Sequence, residues 1–408
     1  SAAWRISQEA FMEGNQMVND LRLRAGYGVV GNQSIPNYLS LALLRADPGA
    51  RAVLGGQVFT GYAPFQLPNP GLKWEEKQEF TVGLDYGLFD GRVFGAIEFY
   101  RNETENLLLE VPLPQPAPVA SRVENVGSLR NTGLDFSLDG YVIDQPETTL
   151  QLGITFNTNS NEILDLGGRE QIFTGSISGR GQSGQNALLL TPGEPFPVFF
   201  GAEFVEVNAD GDQVFNDYED TDGDGFGDNL VGTTTSPDSG DRQIIGDPRP
   251  DFTYGVRSKL NWKNFGLSVF FRGEQGRELF NNTALVFQTK SAAVQGRGFL
   301  ADALDDPDAL REQPAYSSRW IEDASFLKLD NVTLEYSLEP SMLGTAGEYV
   351  RTARVYFSVD NVFTITPYSG YDPEVNTNAQ VGLIPAVGID YTNYPVPRTF
   401  TVGVHLGF

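Results

Sequence analysis

The stretch of this 408-residue chain richest in groups that can hold a metal is 203–230, E-F-V-E-V-N-A-D-G-D-Q-V-F-N-D-Y-E-D-T-D-G-D-G-F-G-D-N-L. Asp220, Asp222 and Asp224, then Gly225 and Asp228, follow a D-x-D-x-D-G-x-x-D spacing. Alternate carboxylates around a glycine turn converge on a hard cation, and oxygen donors at about 2.3–2.6 Å suit calcium better than the smaller magnesium. Just upstream, Glu206, Asn208, Asp210, Gly211 and Asp217 approximate the ligand positions of an EF-hand-like loop, without its flanking helices. Thirteen acidic residues and one basic residue, Arg242, lie between Glu203 and Asp247. Like charges at that density repel, and a bound cation relieves the repulsion. The competing reading is a solvated acidic loop. Spacing favours calcium for the second cluster and leaves both readings open for the first.

Other chemistries find less support. His405 is the single histidine, so neither a Ser-His-Asp triad nor a histidine metal site can be assembled from this chain alone. Cysteine is absent, which removes thiolate sites and disulfides and is compatible with a cell-envelope location. Carboxylates abound, but nothing selects the one pair across a cleft that a glycosidase needs. The residues therefore point away from an enzyme. The formal net charge of -25 argues against nucleic-acid binding, because a polyanion would be repelled.

The elements around the acidic stretch alternate with period two. In 396–408, V-P-R-T-F-T-V-G-V-H-L-G-F, Phe400, Val402, Val404, Leu406 and Phe408 fall on one face, and Thr399, Thr401, Gly403, His405 and Gly407 on the other. The same grammar predicts antiparallel strands over 20–30, 77–88, 92–109, 123–140, 148–164, 251–262, 265–280, 325–338, 352–364 and 397–408, with a partial strand through Ala2, Trp4 and Ile6. Segments 31–73 and 111–118, rich in Gly, Pro and Asn or in Pro, read as loops. The chain has no run of eighteen apolar residues and a mean hydropathy of -0.25, which excludes helical membrane spans. A closed sheet can cross a bilayer with only half its side chains apolar.

The connections alternate short and long. Barrels of the outer membrane keep short turns on the periplasmic side and long loops outside. On that rule 7–19, 89–92, 141–147, 263–264 and 339–351 are periplasmic, and the acidic connection 165–250 is extracellular. A soluble antiparallel sandwich also alternates, but its strands run about five or six residues, whereas several here alternate for the roughly nine to eleven that a membrane crossing needs. On the barrel reading the polar face, His405 included, lines a wet lumen.

Several runs resemble one family. They are I-I-G-D-P-R-P-D-F-T-Y-G at 244–255 with L-S-V-F-F-R-G-E-Q-G at 267–276, R-W-I-E-D-A-S-F-L-K-L-D-N-V-T-L at 319–334, V-D-N-V-F-T-I-T at 359–366 with Y-S-G-Y-D-P-E-V at 368–375, and Y-P-V-P-R-T-F at 394–400. Earlier, L-R-L-R-A-G-Y-G-V-V-G-N-Q at 21–33 and N-P-G-L-K-W-E at 69–75 fit too. Together, from end to end, they resemble the SusC/RagA type of TonB-dependent outer-membrane transporter. The resemblance implies an all-β fold: a 22-stranded transmembrane barrel of which about eleven antiparallel strands, the C-terminal half, lie in 1–408. It implies a plug domain, a TonB box and a first barrel half outside this sequence, since half a barrel would leave unpaired edges in lipid. It also implies TonB-coupled import of an oligosaccharide or peptide through the outer membrane of a Gram-negative bacterium, with a SusD-like surface lipoprotein as partner. The alternative is a calcium-binding β-rich surface or adhesion protein without transport; a passive porin is weaker, because large barrels of this resemblance are plugged.

Overall fold

The computed structural model describes residues 1–32, 37–114, 116–119, 121–179, 181–182, 184–294, 296, 298–309, 313–377, 379–380, 384 and 386–408. Eleven strands form one antiparallel sheet in chain order: β1 (Ala2–Arg5), β2 (Val18–Asn32), β3 (Glu75–Leu88), β4 (Val93–Glu105), β5 (Ser128–Gln145), β6 (Thr148–Asp165), β7 (Phe252–Trp262), β8 (Phe265–Gln275), β9 (Phe326–Leu338), β10 (Thr352–Ile365) and β11 (Thr399–Gly407). Antiparallel neighbours put every short turn at one end of the sheet and every long connection at the other. The tightest turns are the two-residue steps between Gln145 and Thr148, which narrows the expected turn 141–147 to 146–147, and between Trp262 and Phe265; at the four-residue turn 89–92, Phe89, Asp90 and Gly91 all have positive φ.

Alternation sorts the two faces as expected. On β11, Phe400, Val402 and Val404 are exposed, while Thr401 and Gly403 on the other face are half-buried. That second face carries ion pairs, between adjacent strands for Arg24 to Asp85 (2.9 Å) and Arg272 to Asp330 (3.0 Å), and across one intervening strand for Arg24 to Glu98 (3.0 Å) and Arg257 to Asp139 (2.6 Å). Gly153 leaves room for one of them, since a Cβ there would collide with Arg257 Nε and Asp139 Oδ1. A sheet with its greasy face outward and its charges inward is built for lipid outside and a polar interior.

The structure departs from the sequence expectations in the connections. Segment 31–73 is not a plain loop: Leu43–Leu54 and Gln57–Gln66 form a hairpin. The expected strand 92–109 ends at Glu105, and Leu108–Pro112 pairs separately with Ser121–Asn125, leaving Pro112 at the strand end where its missing N–H does least harm. The same break divides 123–140. The expected strand 265–280 stops at Gln275, where Ser325 Oγ accepts the Gly276 N–H (2.9 Å) in place of a ladder partner. Glu278–Asn281 then joins a different, three-stranded sheet between Ile321–Asp323 and Ile389–Asp390.

Connection 165–250 folds as well. It supplies a four-stranded sheet in the order Ile172–Ser176, Asn186–Leu190, Val198–Ala202, Arg242–Gly246, and a three-stranded sheet of Phe204–Val207, Gln213–Glu219 and Asn229–Thr234. These small sheets and the neighbouring connections make a crown at the long-loop end. The buried core sits there: Leu188, Phe199, Phe280, Leu285 and Ile389 pack in one cluster, and Leu109, Val111, Ile163, Leu166, Leu190 and Ile384 in another.

Candidate functional site

The acidic stretch forms the edge of the crown. Asp220, Asp222 and Asp224 bring carboxylate oxygens within 4.8 Å of one another, the one such acidic group of three among the described residues. Gly225, at φ +87, makes the turn that lets them approach. Each carboxylate is braced by the loop's own backbone: Asp220 accepts from the N–H of Gly223 (2.7 Å) and Gly225 (3.0 Å), Asp222 from Asp224 (3.2 Å), and Asp224 from Phe226 (2.8 Å). Asp228 is engaged elsewhere, accepting from the N–H (2.7 Å) and hydroxyl of Thr221. Those bonds hold its carboxyl below the usual aspartate value.

The upstream candidates are spread over a hairpin. Asn208 Oδ1 accepts from the N–H groups of Asp210 (3.0 Å) and Asp212 (2.9 Å), so it braces the turn. Glu206 is exposed on Phe204–Val207, and Asp210 is exposed in the turn. Asp217 lies on the next strand, its carboxyl raised by desolvation and by the nearby Asp241 and Asp238 charges.

Two buried charge networks escaped the sequence reading. Arg319 bridges Asp306 (2.9 Å) and Asp308 (2.7 Å), and Gln213 Nε2 donates to Asp308 (2.7 Å). The guanidinium also stacks over Phe204 and Trp320, tying 301–309 to the three-stranded sheet that carries the acidic loop. Burial pushes the Asp308 carboxyl up, and Arg319 opposes the rise. At the sheet's inner face Glu374 joins Arg272 and the buried Lys328 (2.7 Å). Burial alone would raise the Glu374 carboxyl, but hydrogen bonds from Arg272 and Lys328 hold it below the ordinary glutamate value. This network anchors 366–375 to β8 and β9.

A cavity of about 650 Å³ opens beside that anchored segment. Its walls come from 281–288 and 300–302 on one side and from 369–371 and 390–395 on the other, which the parallel pairing of Phe280 with Ile389 and Asn281 with Asp390 brings together.

A family model described as "TonB dependent receptor-like, beta-barrel" matches residues 4–362. The chain belongs to this family. TonB-dependent receptor P3 of Formosa agariphila is 32% identical over an alignment covering 100% of the chain and 41% of that protein. TonB-dependent receptor SusC of Bacteroides thetaiotaomicron is 30% identical over 99% of the chain and 39% of its own length. Among solved structures, the RagAB peptide transporter superposes with a TM-score of 0.81 at 27% identity, over 100% of the chain and 43% of that chain. The chain thus spans about two fifths of the length of these relatives.

Membership of the TonB-dependent receptor barrels accounts for the inverted sheet, and it makes the eleven strands part of a larger wall. The acidic loop, the Arg319 bridge and the cavity all belong to the connections, and Arg319 and the cavity-lining Tyr371 and Tyr394 lie within the runs 319–334, 368–375 and 394–400 that resemble the family. Residue types alone did not reveal the cavity or the tie between the Arg319 bridge and Gln213, because their members lie about a hundred positions apart: Gln213 and Asp308 are separated by 95, Thr283 and Thr392 by 109; Arg319 and its aspartates are only 11 and 13 apart, but their spacing follows no motif.

Proposed function

We propose that this chain is the C-terminal part of the barrel of an outer-membrane importer that draws energy from TonB and takes up an oligosaccharide or peptide nutrient. The observation that carries the reading is the end-to-end superposition on the RagAB peptide transporter together with the outward apolar face. In this reading the crown is extracellular, the short turns are periplasmic, and the sheet is closed by strands elsewhere in the full protein. A SusD-like lipoprotein docks on the crown, and TonB engages the remainder of the polypeptide. The decisive experiment is uptake by cells carrying the full-length protein and its neighbouring surface lipoprotein, with and without TonB. Accumulation of labelled oligosaccharide or peptide that stops when TonB is deleted supports import; accumulation indifferent to TonB, or none, defeats it.

We also propose calcium at the 203–230 loop, with Asp220, Asp222 and Asp224 as ligands. The approach of three carboxylates around a glycine turn favours it. Extracellular modules bind calcium at about 0.1–1 mM, so even a weak site is filled outside a cell. Calcium titration of the intact transporter against an Asp222→Ala, Asp224→Ala variant tests it. Equal calcium uptake by the two proteins leaves the run a solvated surface.

A further inference from the structure

Tyrosines in the strand wall lie across glycines and reach a third strand. Tyr86 of β3 stands opposite Gly95 of β4, which stands opposite Leu138 of β5. A Cβ on Gly95 would meet the Tyr86 phenol on one side and Ser137 O on the other, and Tyr86 Oη donates to Ser137 O (2.9 Å). Tyr100 of β4 repeats the arrangement over Gly133 of β5, which stands opposite Asn159 of β6. Its Oη donates to Asn159 Oδ1 (3.1 Å) and lies 3.5 Å from Thr158 O. Tyr254 of β7 covers Gly273 of β8, where a Cβ would meet both the phenol and Phe326 O of β9, and Gly273 stands opposite Leu327. In all three the carbonyl belongs to the residue just before the one opposite the glycine, Ser137, Thr158 and Phe326.

The physical basis is common to the three. A backbone carbonyl has two lone pairs and spends one on the ladder, so the other can accept from a phenol. Glycine inside a strand leaves bare backbone that a close neighbour can cover, and a ring laid flat on it carries the hydroxyl to the strand beyond. Charged side chains use the same route: Arg24 crosses Gly83 to reach Glu98 (3.0 Å), and Arg257 crosses Gly153 to reach Asp139 (2.6 Å). Each of these glycines thereby ties three strands together, where a ladder alone ties two.

Tyr356 of β10 makes the same approach to the outermost strand. It stands opposite Gly403 of β11, and both face inward, because Val355, Phe357, Val402 and Val404 occupy the outward face. A Cβ on Gly403 would collide with Tyr356 Cζ and Oη, so the phenol end of the ring lies on β11 itself. The hydroxyl is thus carried along the sheet, away from β9 and toward the far edge of β11. Among the described residues β11 pairs with β10 alone, and that far edge is where a closing strand lies in a complete barrel.

We propose that Tyr356 and Gly403 fasten the seam of the closed barrel: Tyr356 Oη crosses β11 and donates to a backbone carbonyl of the strand that pairs with its far edge, the carbonyl of the residue just before the one opposite Gly403. The proposal rests on the reading that strands elsewhere in the full protein close the sheet, and it adds the residue pair and the register of the join. The test places the photo-crosslinker p-benzoylphenylalanine at position 356 of the full-length protein in lipid vesicles and maps the adduct by mass spectrometry. The adduct should fall on one strand outside 1–408. Tyr356→Phe, which keeps the ring and removes the hydroxyl, should speed amide exchange in that strand and in β11 about fivefold, the worth of one net hydrogen bond. Tyr100→Phe should act on β6 and leave the seam unchanged. No adduct, an adduct confined to β10, β11 or a segment that is not a strand, unchanged seam exchange in Tyr356→Phe, or equal seam effects from the two phenylalanine variants overturns the fastening and leaves closure by other strands intact. An adduct on β1 would mean that the eleven strands close on themselves, which defeats the import reading's barrel together with the proposal.

Discussion

The strand wall and the crown are made from the same residue types with opposite rules. In β11, Val402 is 74% exposed and Phe400 64%, whereas in the crown Leu188, Phe199 and Ile389 are fully buried. The wall's apolar side chains face outward and its charges pair inward, between adjacent strands or across a single intervening one. The crown buries its apolar side chains and leaves most of its acids at the surface, as a water-soluble domain does. One polypeptide is thus built against two solvents, and the change of rule coincides with the point where each strand gives way to a long connection.

The largest test of this contrast is removal of a crown anchor. Phe199→Ala should destabilise the crown by about 3–5 kcal/mol, the usual cost of emptying an aromatic site, while leaving the strands inserted. Limited proteolysis of the full-length protein in lipid vesicles should then cut within 165–250 without releasing the barrel; a barrel that unfolds together with the crown would refute two separable rules. Next, Arg319→Ala strands Asp306 and Asp308, both buried. It should cost about 3 kcal/mol, toward the low side for a broken buried pair because the Arg319 side chain keeps 17% of its surface wet. Hydrogen exchange across 298–320 should rise in the variant, and unchanged protection there would show the bridge to be idle.

In the wall the rule reverses. Val402→Arg should cost about 2–4 kcal/mol where its strand crosses the bilayer, read as a lower urea midpoint for refolding into vesicles. Thr401→Arg, one residue away on the polar face, should cost far less. Equal costs would mean that the two faces do not see different solvents.

The smallest expected effect is electrostatic. Burial raises the Glu278 carboxyl above 4.5, and the neighbouring Asp247, Asp323 and Asp251 charges reinforce it. A raised folded value means protonation favours the folded crown, so the contribution is complete below 4.5 and fades as pH climbs through the raised value. Glu374, held low by Arg272 and Lys328, acts in the other direction: its contribution is present above 4.5 and fades as pH falls through its lowered value. Thermal melts of Glu278→Gln and Glu374→Gln should therefore change with pH in opposite senses, and parallel profiles would contradict the assignment.

Strands were legible because a two-sided environment writes period two into any segment that crosses it. Val402 and Thr401, or Val256 and Arg257, declare their faces without help from the rest of the chain. Crown strands carry no such signal: Leu188, Leu189 and Leu190 are buried on both sides and read as a featureless apolar run. The hairpin Leu43–Leu54 with Gln57–Gln66 was hidden by its irregular register between Asp47 and Arg51. In the acidic loop, spacing predicted that Asp220, Asp222 and Asp224 would approach one another, and they do. The same spacing was blind to Thr221, whose hydroxyl and N–H engage Asp228. Arg319 and its two aspartates fell outside any motif, because only the folded connections bring them to the strand that holds Gln213.

The parallel pairing of Glu278–Asn281 with Ile389–Asp390 sets a temporal order. Its two members are about a hundred residues apart, and the second immediately precedes β11. Contacts so distant along the chain form late, after the loop between them has closed. The cavity walls therefore meet only after nearly the whole segment has been synthesised and the last connection, between β10 and β11, has folded back. Until then the floor around Asp390 does not exist, so a half-made molecule displays strands but no finished cavity.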